Sequence, residues 1–203
     1  MLTHVRPAIV MMVLHTALTG VIYPLAMTGV AQVLMPSVAN GSMIERGSGV
    51  VGSELIGQVF TSDKYFQGRP SATSAPDPKD ATKTVDLPYN AANSGGSNLG
   101  PLSKKLIERV EGDVVALRKA GAGIIPADAV TTSASGLDPH ITPAHAAIQI
   151  VRVAAARKVS EARVRAIVDS AMERPFVGFL GEWRLNVLKL NLILDATLPG
   201  SAG

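Results

Sequence analysis

The chain has no cysteine and few aromatic residues, which make up 4% of its 203 positions with a single tryptophan. Zero cysteine suits an oxidising or a reducing compartment equally, so the side of any membrane stays open. So few rings exclude a stacking platform for nucleic-acid bases. Charge is missing in one place: residues 7–44 contain no Asp, Glu, Lys or Arg. Of the 19 basic residues, Arg6 precedes this gap, which leaves 18 against 16 acidic ones in the rest of the chain. A body that close to neutrality carries no electrostatic footprint for nucleic acid.

The uncharged stretch "PAIVMMVLHTALTGVIYPLAMTGVAQVLMP" fills residues 7–36. A bilayer core needs about 20 helical residues at about 1.5 Å each, so the stretch is long enough for one crossing, with a span near residues 8–35. Pro24 removes a backbone donor, and Gly20 and Gly29 lower helix propensity. Lipid tolerates all three where a neighbouring helix covers the exposed backbone, and Gly20, Thr28 and Gly29 offer small-residue surface for one. His15 is the single ionisable side chain inside, expected neutral or facing protein. A cleaved signal peptide is the rival, since Ser37-Val38-Ala39 fits a small-x-small site, but a signal core runs only about 7 to 15 residues. A retained anchor is expected over residues 1–36. Arg6 on one flank, against Arg46 beside Glu45 on the other, favours an N-terminus inside and a body outside.

Residues 37–53 are rich in Gly and Ser and read as a flexible linker. The domain that follows, 54–203, opens on "ELIGQVF" (54–60), a predicted short strand or buried run. Residues 65–101 hold five prolines and little apolar period, which predicts a long loop without a long helix. Leu102, Leu106, Val110, Val114 and Leu117 then recur at helical spacing, predicting an amphipathic helix over 101–119 on a core, with Pro101 as its first residue. Two further helices are predicted. Thr142 caps 142–158 with Pro143 behind it, and Ser160 caps 160–174 with Pro175 as the stop. In "LNVLKLNLILD" (185–195) the alternation of Leu188, Leu190 and Leu192 with Lys189 and Asn191 predicts a strand. The expected class is α+β: a single N-terminal transmembrane helix followed by one mixed α+β extramembrane domain.

Motifs for chemistry are incomplete. Gly95 and Gly100 have the separation of a phosphate loop, but Pro101 stands where the lysine belongs and also lacks an N–H. Lys104 and Lys105 leave anion binding at the helix start possible. Asp138, His140 and His145 could be drawn together as metal ligands, yet Pro139 and Pro143 fix a turn there, and Asp138 is expected to bond local backbone N–H groups. No G-x-S-x-G elbow accompanies the serines. Asn93, Gly95, Gly96, Ser97, Asn98 and Gly100 stand as a nucleotide-binding or partner-contact loop, with a loop that only shapes a turn as the alternative. Tyr65, Arg69 and Asp138 are candidates for interface contacts, with solvated loop positions as the alternative.

Four blocks carry a likeness. "YFQGRPSAT" (65–73), "YNAANSGGSNLGP" (89–101), "SASGLDPHITPAHAAIQIVRVAAAR" (133–157) and "LGEWRLNVLKLNLILD" (180–195), in that order behind one span, resemble the C subunit of the bacterial Kdp potassium-transporting P-type ATPase. Trp183 departs from that pattern, which has proline there. The resemblance implies a single-pass subunit of the bacterial inner membrane, in contact with lipid and with two partners. One partner is a channel-like subunit that binds potassium, and the other hydrolyses ATP through a phosphorylated aspartate. It implies no tightly bound cofactor, with ATP and potassium handled by the complex and no nucleic acid involved. The family's C subunit is described as a catalytic chaperone that raises ATP affinity. An external body, as the flanking charges indicate, could not meet cytosolic ATP and would instead pack over the extracellular mouth of the potassium-conducting subunit. The competing class is a stand-alone, membrane-anchored periplasmic binding protein or hydrolase.

Overall fold

A computed structural model of the chain describes residues 2–47 and 49–198. The chain divides into one unit ending at Val51 and a second beginning at Gly52.

The first unit is dominated by an apolar helix, Val5–Leu34, none of whose residues is buried. It comprises α1 (Val5–Ala17), one π turn (Leu18–Ile22) and α2 (Tyr23–Leu34). The π turn lies directly before Pro24, whose ring would clash with the carbonyl one turn back; widening the helix there relieves the clash. The few polar groups fold onto the helix itself. Thr19 Oγ1 donates to the His15 carbonyl at 2.6 Å, and the His15 ring lies 2.9 Å from the Met11 carbonyl. This is how polar side chains are accommodated where water is absent. After α2, Pro36 starts a single turn, α3 (Pro36–Ala39), and the amides of Gln32 and Asn40 pair reciprocally at 3.2 Å. Residues 37–53, rich in Gly and Ser, also hold a small hairpin, β1 (Met43–Arg46) with β2 (Gly49–Ser53), and Gly47 has the positive φ of its turn.

The second unit is a mixed α+β body. Its core is formed by α5 (Pro143–Arg157), α6 (Glu161–Ser170) and α7 (Val187–Thr197), with Phe66, Ile141 and Leu185 filling the space between them. Ile150 and Val153 from α5, Val164 and Val168 from α6, and Leu190 and Leu194 from α7 are almost wholly buried. Each such side chain contributes about 1.5–3 kcal/mol by leaving water. Thr142 caps α5 as expected, its hydroxyl accepting from the His145 N–H at 3.1 Å, and Lys158 closes the helix in the left-handed conformation. Ser160 stands at the start of α6 with extended backbone but no side-chain cap bond, and that helix stops at Ser170, four residues short of the expected end.

Three expectations are corrected. Residues 185–195 are not a strand beyond β6 (Leu185–Asn186), which pairs antiparallel with β5 (His140–Ile141). From Val187 the chain is helical. The buried positions Val187, Leu190, Asn191, Leu194 and Leu198 recur at three- and four-residue spacing, and the Asn186 side chain caps the helix by accepting from the Lys189 N–H at 3.1 Å. Residues 54–60 form turn and extended chain rather than a strand: Gly57 donates to the Leu137 carbonyl, a loop rather than a sheet edge. The helix expected over 101–119 is α4 (Lys104–Lys119), with none of its residues fully buried; Ser103 is extended, and Leu102, outside the helix, is 90% exposed. Its stripe of Leu106, Val110, Val114 and Leu117 is only half-buried, so it borders the core without entering it. Within 65–101, the hairpin β3 (Ser74–Asp77) and β4 (Asp80–Asp86) turns on Asp side chains, with Asp77 accepting from the Lys79 N–H and Asp80 from the Thr82 N–H. Both its faces are largely exposed, so no burial period marks it in the sequence.

Candidate functional site

The segment 65–73 runs through the body as an extended spine without strand neighbours, and side chains supply its partners. The Phe66 N–H donates to Asn191 Oδ1 (2.8 Å), and the Asn191 amide returns a bond to the Phe66 carbonyl (2.9 Å). Gln149 holds Gln67 in the same two-handed way, at 2.8 and 3.0 Å. A side-chain amide presents one donor and one acceptor at the spacing of a peptide group, so each of these residues substitutes for a missing strand. Tyr65 donates to Asp195 Oδ2 at 3.0 Å and lies under the Arg157 guanidinium, which itself reaches Asp195 Oδ1 at 2.8 Å and the Lys64 carbonyl at 2.7 Å.

Further along, Arg69 pairs with Asp138 at 3.0 Å, and the Ser71 and Thr73 hydroxyls form the joint between three loops. Ser71 Oγ donates to the Gly136 carbonyl and accepts from the Tyr89 N–H. Thr73 Oγ1 donates to the Leu87 carbonyl and accepts from the Asn90 N–H. The glycine-rich loop is thereby folded onto residues 71–74 and 133–136. Gly95 N–H and Ser94 Oγ both donate to the Ser135 carbonyl, and Asn93 reaches the Ser74 carbonyl at 2.9 Å. Ser97 Oγ lies 3.5 Å from Thr132 Oγ1. Glycine is required where these loops touch. A Cβ on Gly96 would lie 2.9 Å from the Ala134 carbonyl oxygen, and Gly136, at φ +67°, would drive one into Thr73 and the Gly95 carbonyl. Gly95 and Gly100 have open space around them, and Asn98 holds φ +50°.

The structure therefore gathers Arg69, Asp138 and most of the loop residues 93–97 around one joint, and separates Tyr65 to the far end of the spine. Of the drawn metal ligands, Asp138 and His140 are neighbours at 3.5 Å, whereas His145 belongs to another cluster, 3.3 Å from Asp128. Among the described residues no group of three or more His, Asp or Glu side chains converges as a cation site. As expected from the turn, Asp138 Oδ1 accepts the His140 N–H at 2.9 Å. Burial works against its charge, but bonds from His140 and Arg69 outweigh that and hold its carboxyl below the usual carboxylate value. Tyr89, whose hydroxyl donates to the Arg69 carbonyl at 2.6 Å, is pushed up to about 12 by burial and by Asp138. His145 is shifted down by burial, which the Asp128 charge only partly offsets. Its Nδ1 is 3.3 Å from Asp128 Oδ2 but off the line of a good hydrogen bond, so the contact is electrostatic more than directional.

Beside this joint opens a cleft of about 490 Å³ lined by Arg69, Asp138, His140, Arg174, Phe176 and Trp183 among others. Of its charged lining residues, Arg69 pairs with Asp138, and Arg184 pairs at 3.0 Å with Glu173, which lies just outside the cleft. What the sequence did not reveal are the supports: Gln149, Arg157, Asn191 and Asp195. Their one signal is a polar residue placed on the apolar face of a helix, as in "AIQIV" and "LNLIL".

Residues 5–196 match the family described as KdpC, K+-transporting ATPase, c chain. Proteins named potassium-transporting ATPase KdpC subunit are similar along nearly the whole chain. That of Rhodopseudomonas palustris (strain TIE-1) is 58% identical over 200 residues, covering 98% of this chain and 100% of that protein. That of Bradyrhizobium diazoefficiens is 57% identical over 196 residues, covering 96% and 98%. The Methylobacterium nodulans protein is 56% identical over 196 residues, covering 96% and 98%.

Proposed function

Because the chain belongs to the KdpC family of K+-transporting ATPase c chains, we propose that it is a non-catalytic accessory subunit whose body lies outside the bacterial inner membrane. There it packs over the potassium entrance of a channel-like subunit, while the α1–α2 helix is held among neighbouring membrane helices. ATP hydrolysis belongs to a separate P-type subunit, potassium selection belongs to the channel-like one, and this chain holds neither ligand tightly. Its contribution is to stabilise the assembly and so support hydrolysis.

The observation that carries this reading is the use of the glycine-rich loop. The N–H groups of Tyr89, Asn90, Ala92, Asn93 and Gly95 all donate to acceptors of the chain itself. A phosphate loop needs such donors aimed at its ligand; with those of residues 89–95 turned inward and Pro101 standing where the lysine belongs, a shape role is favoured over direct ATP contact. Sidedness follows from the charge pattern: Arg6 precedes the span, and the next basic residue, Arg46, stands beside Glu45.

The test uses the absence of cysteine. Leu102→Cys places one thiol at a position 90% exposed. In intact cells a membrane-impermeant maleimide should label it. Labelling that appears only after lysis puts the body with cytosolic ATP, and the packing mechanism then fails.

A further inference from the structure

Between α6 and β6 the chain turns out into solvent as a tight hairpin, "PFVGFLGEW" (175–183). It has a defined shape. Phe176 and Leu180 exchange backbone bonds at 2.9 and 3.0 Å, Gly178 donates to the Pro175 carbonyl, and Val177, Gly178 and Gly181 take positive φ. Below it, Glu173 and Arg184 are paired through backbone and side chains alike. Yet Phe176 and Phe179 are each 76% exposed, Val177 65% and Leu180 53%. Holding a rigid, bonded turn with these side chains in water costs free energy that nothing else in the body repays.

We propose that this hairpin is a bilayer-contacting tongue, which dips Phe176, Val177, Phe179 and Leu180 into the interfacial region of the same membrane that the chain's own helix crosses. Three features select lipid over a protein groove. First, the apolar exposure is not confined to the cleft side: Phe176 and Leu180, bridged across the ribbon, border the cleft, Val177 and Phe179 stand in the turn beyond them, and all four are more than half exposed. A groove needs one apolar face, whereas a lipid interface receives every side. Second, chemistry is ordered along the hairpin. Aliphatic and phenyl groups are at the tip, and Trp183 is at the base with the Arg174 guanidinium 5.7 Å from its ring and Arg184 adjoining. Indole and guanidinium groups prefer headgroup level, and phenyl and alkyl groups prefer the depth below it. Third, the lipid is always near. Only residues 35–51 separate the apolar helix from the body, a length that spans at most about 60 Å when fully extended. Tethering of that kind makes even weak insertion effective without added affinity. The inference depends on the helix spanning the bilayer and not on which partner subunits the body meets.

The single tryptophan of the chain is a built-in reporter. The full-length protein, alone in phosphatidylcholine–phosphatidylglycerol vesicles, is compared with vesicles carrying lipids brominated near the headgroup end of the acyl chain. Trp183 should be strongly quenched by bromine, shielded from aqueous iodide and blue-shifted in emission. In Phe176→Ser/Phe179→Ser the bromine quenching should be lost and iodide quenching should rise severalfold, while incorporation of the helix and the circular dichroism stay unchanged. A second protein, Trp183→Phe with Leu102→Trp, checks that the effect is local, and its indole should remain open to iodide. Iodide-accessible, bromine-insensitive Trp183 in the full chain overturns the proposal. So does equal bromine quenching at position 102, which would mean that the body lies on lipid indiscriminately. Shielding of Trp183 that appears only after assembly with other subunits, without bromine quenching, assigns the tongue to a protein partner and overturns it too. None of these failures touches the accessory-subunit reading, since the vesicles contain this chain alone.

Discussion

At the scale of single residues, the body is held by polar side chains that substitute for secondary structure. Asn191 is the clearest case. It is 2% exposed and satisfies both backbone groups of Phe66, itself wholly buried. Asn191→Ala should therefore destabilise the chain by about 2–3 kcal/mol, because a buried donor and acceptor are orphaned together; urea unfolding followed by circular dichroism measures it, and a loss below about 0.5 kcal/mol would refute the spine. Acid sensitivity is argued at the same scale. His145 and Asp138 are both shifted down from their ordinary values of 6.5 and 3.8. Each shift means that the unfolded chain takes up protons more readily than the folded one, so both contributions are present at neutral pH and are lost as pH falls. His145, packed among Asp128, Arg69 and Arg152, is responsible for the first loss, below about pH 6.5, and Asp138 for a second below about pH 4. His145→Gln should flatten the decline in Tm between pH 7 and pH 5. An unchanged slope would show that the histidine is not the group titrating. Tyr65, Arg69 and Asp138 all stood out in the sequence, but the pairing of Arg69 with Asp138, 69 positions on, and the reach of Tyr65 to Asp195, 130 positions away, did not.

At the scale of elements, local signals succeeded where a single residue sets the geometry and failed where burial decides. Thr142 followed by proline located α5 because capping is read within one turn. The leucine alternation in 185–195 misled because leucine suits either period, and the decision lay with Asn186 as a cap and with a helical burial pattern that only the tertiary contacts define. The hairpin of 74–86 left no trace, since an exposed two-stranded ribbon has no buried face to imprint a period. Glycines divide in the same way. Gly136→Ala should cost about 2 kcal/mol or more, since a left-handed backbone costs about 1–2 kcal/mol by itself and here the Cβ also meets the Gly95 carbonyl. Gly95→Ala and Gly100→Ala, with open space and no positive φ, should stay within about 1 kcal/mol of the parent. Thermal unfolding of the three variants side by side tests the ordering. If Gly95→Ala leaves stability intact but abolishes assembly, the loop touches a partner as well as shaping the joint.

At the scale of the whole molecule, two units answer two solvents. Residues 5–34 expose apolar side chains throughout, as only a lipid environment accepts, and fit a single-pass membrane protein. The uncharged gap made this the most legible feature of the sequence. The body, which begins at Gly52, has its own core, and side chains such as Asn191, Gln149 and Arg69 bond its internal segments together. Order of blocks along the chain carried the family reading better than any one motif, and three of the four blocks supply loops to one hydrogen-bonded joint: 65–73, 89–101 and 133–140 meet around Ser71 and Thr73. The measurement that reaches the central claim most directly is affinity purification of the tagged full-length chain from bacterial membranes in mild detergent, with potassium-stimulated ATPase activity assayed in the eluate. The account predicts that larger transporter subunits and that activity elute together with the chain, and that the chain stripped from them hydrolyses nothing. A chain that elutes alone as a monomer, or that cleaves ATP or an ester unaided, would contradict it.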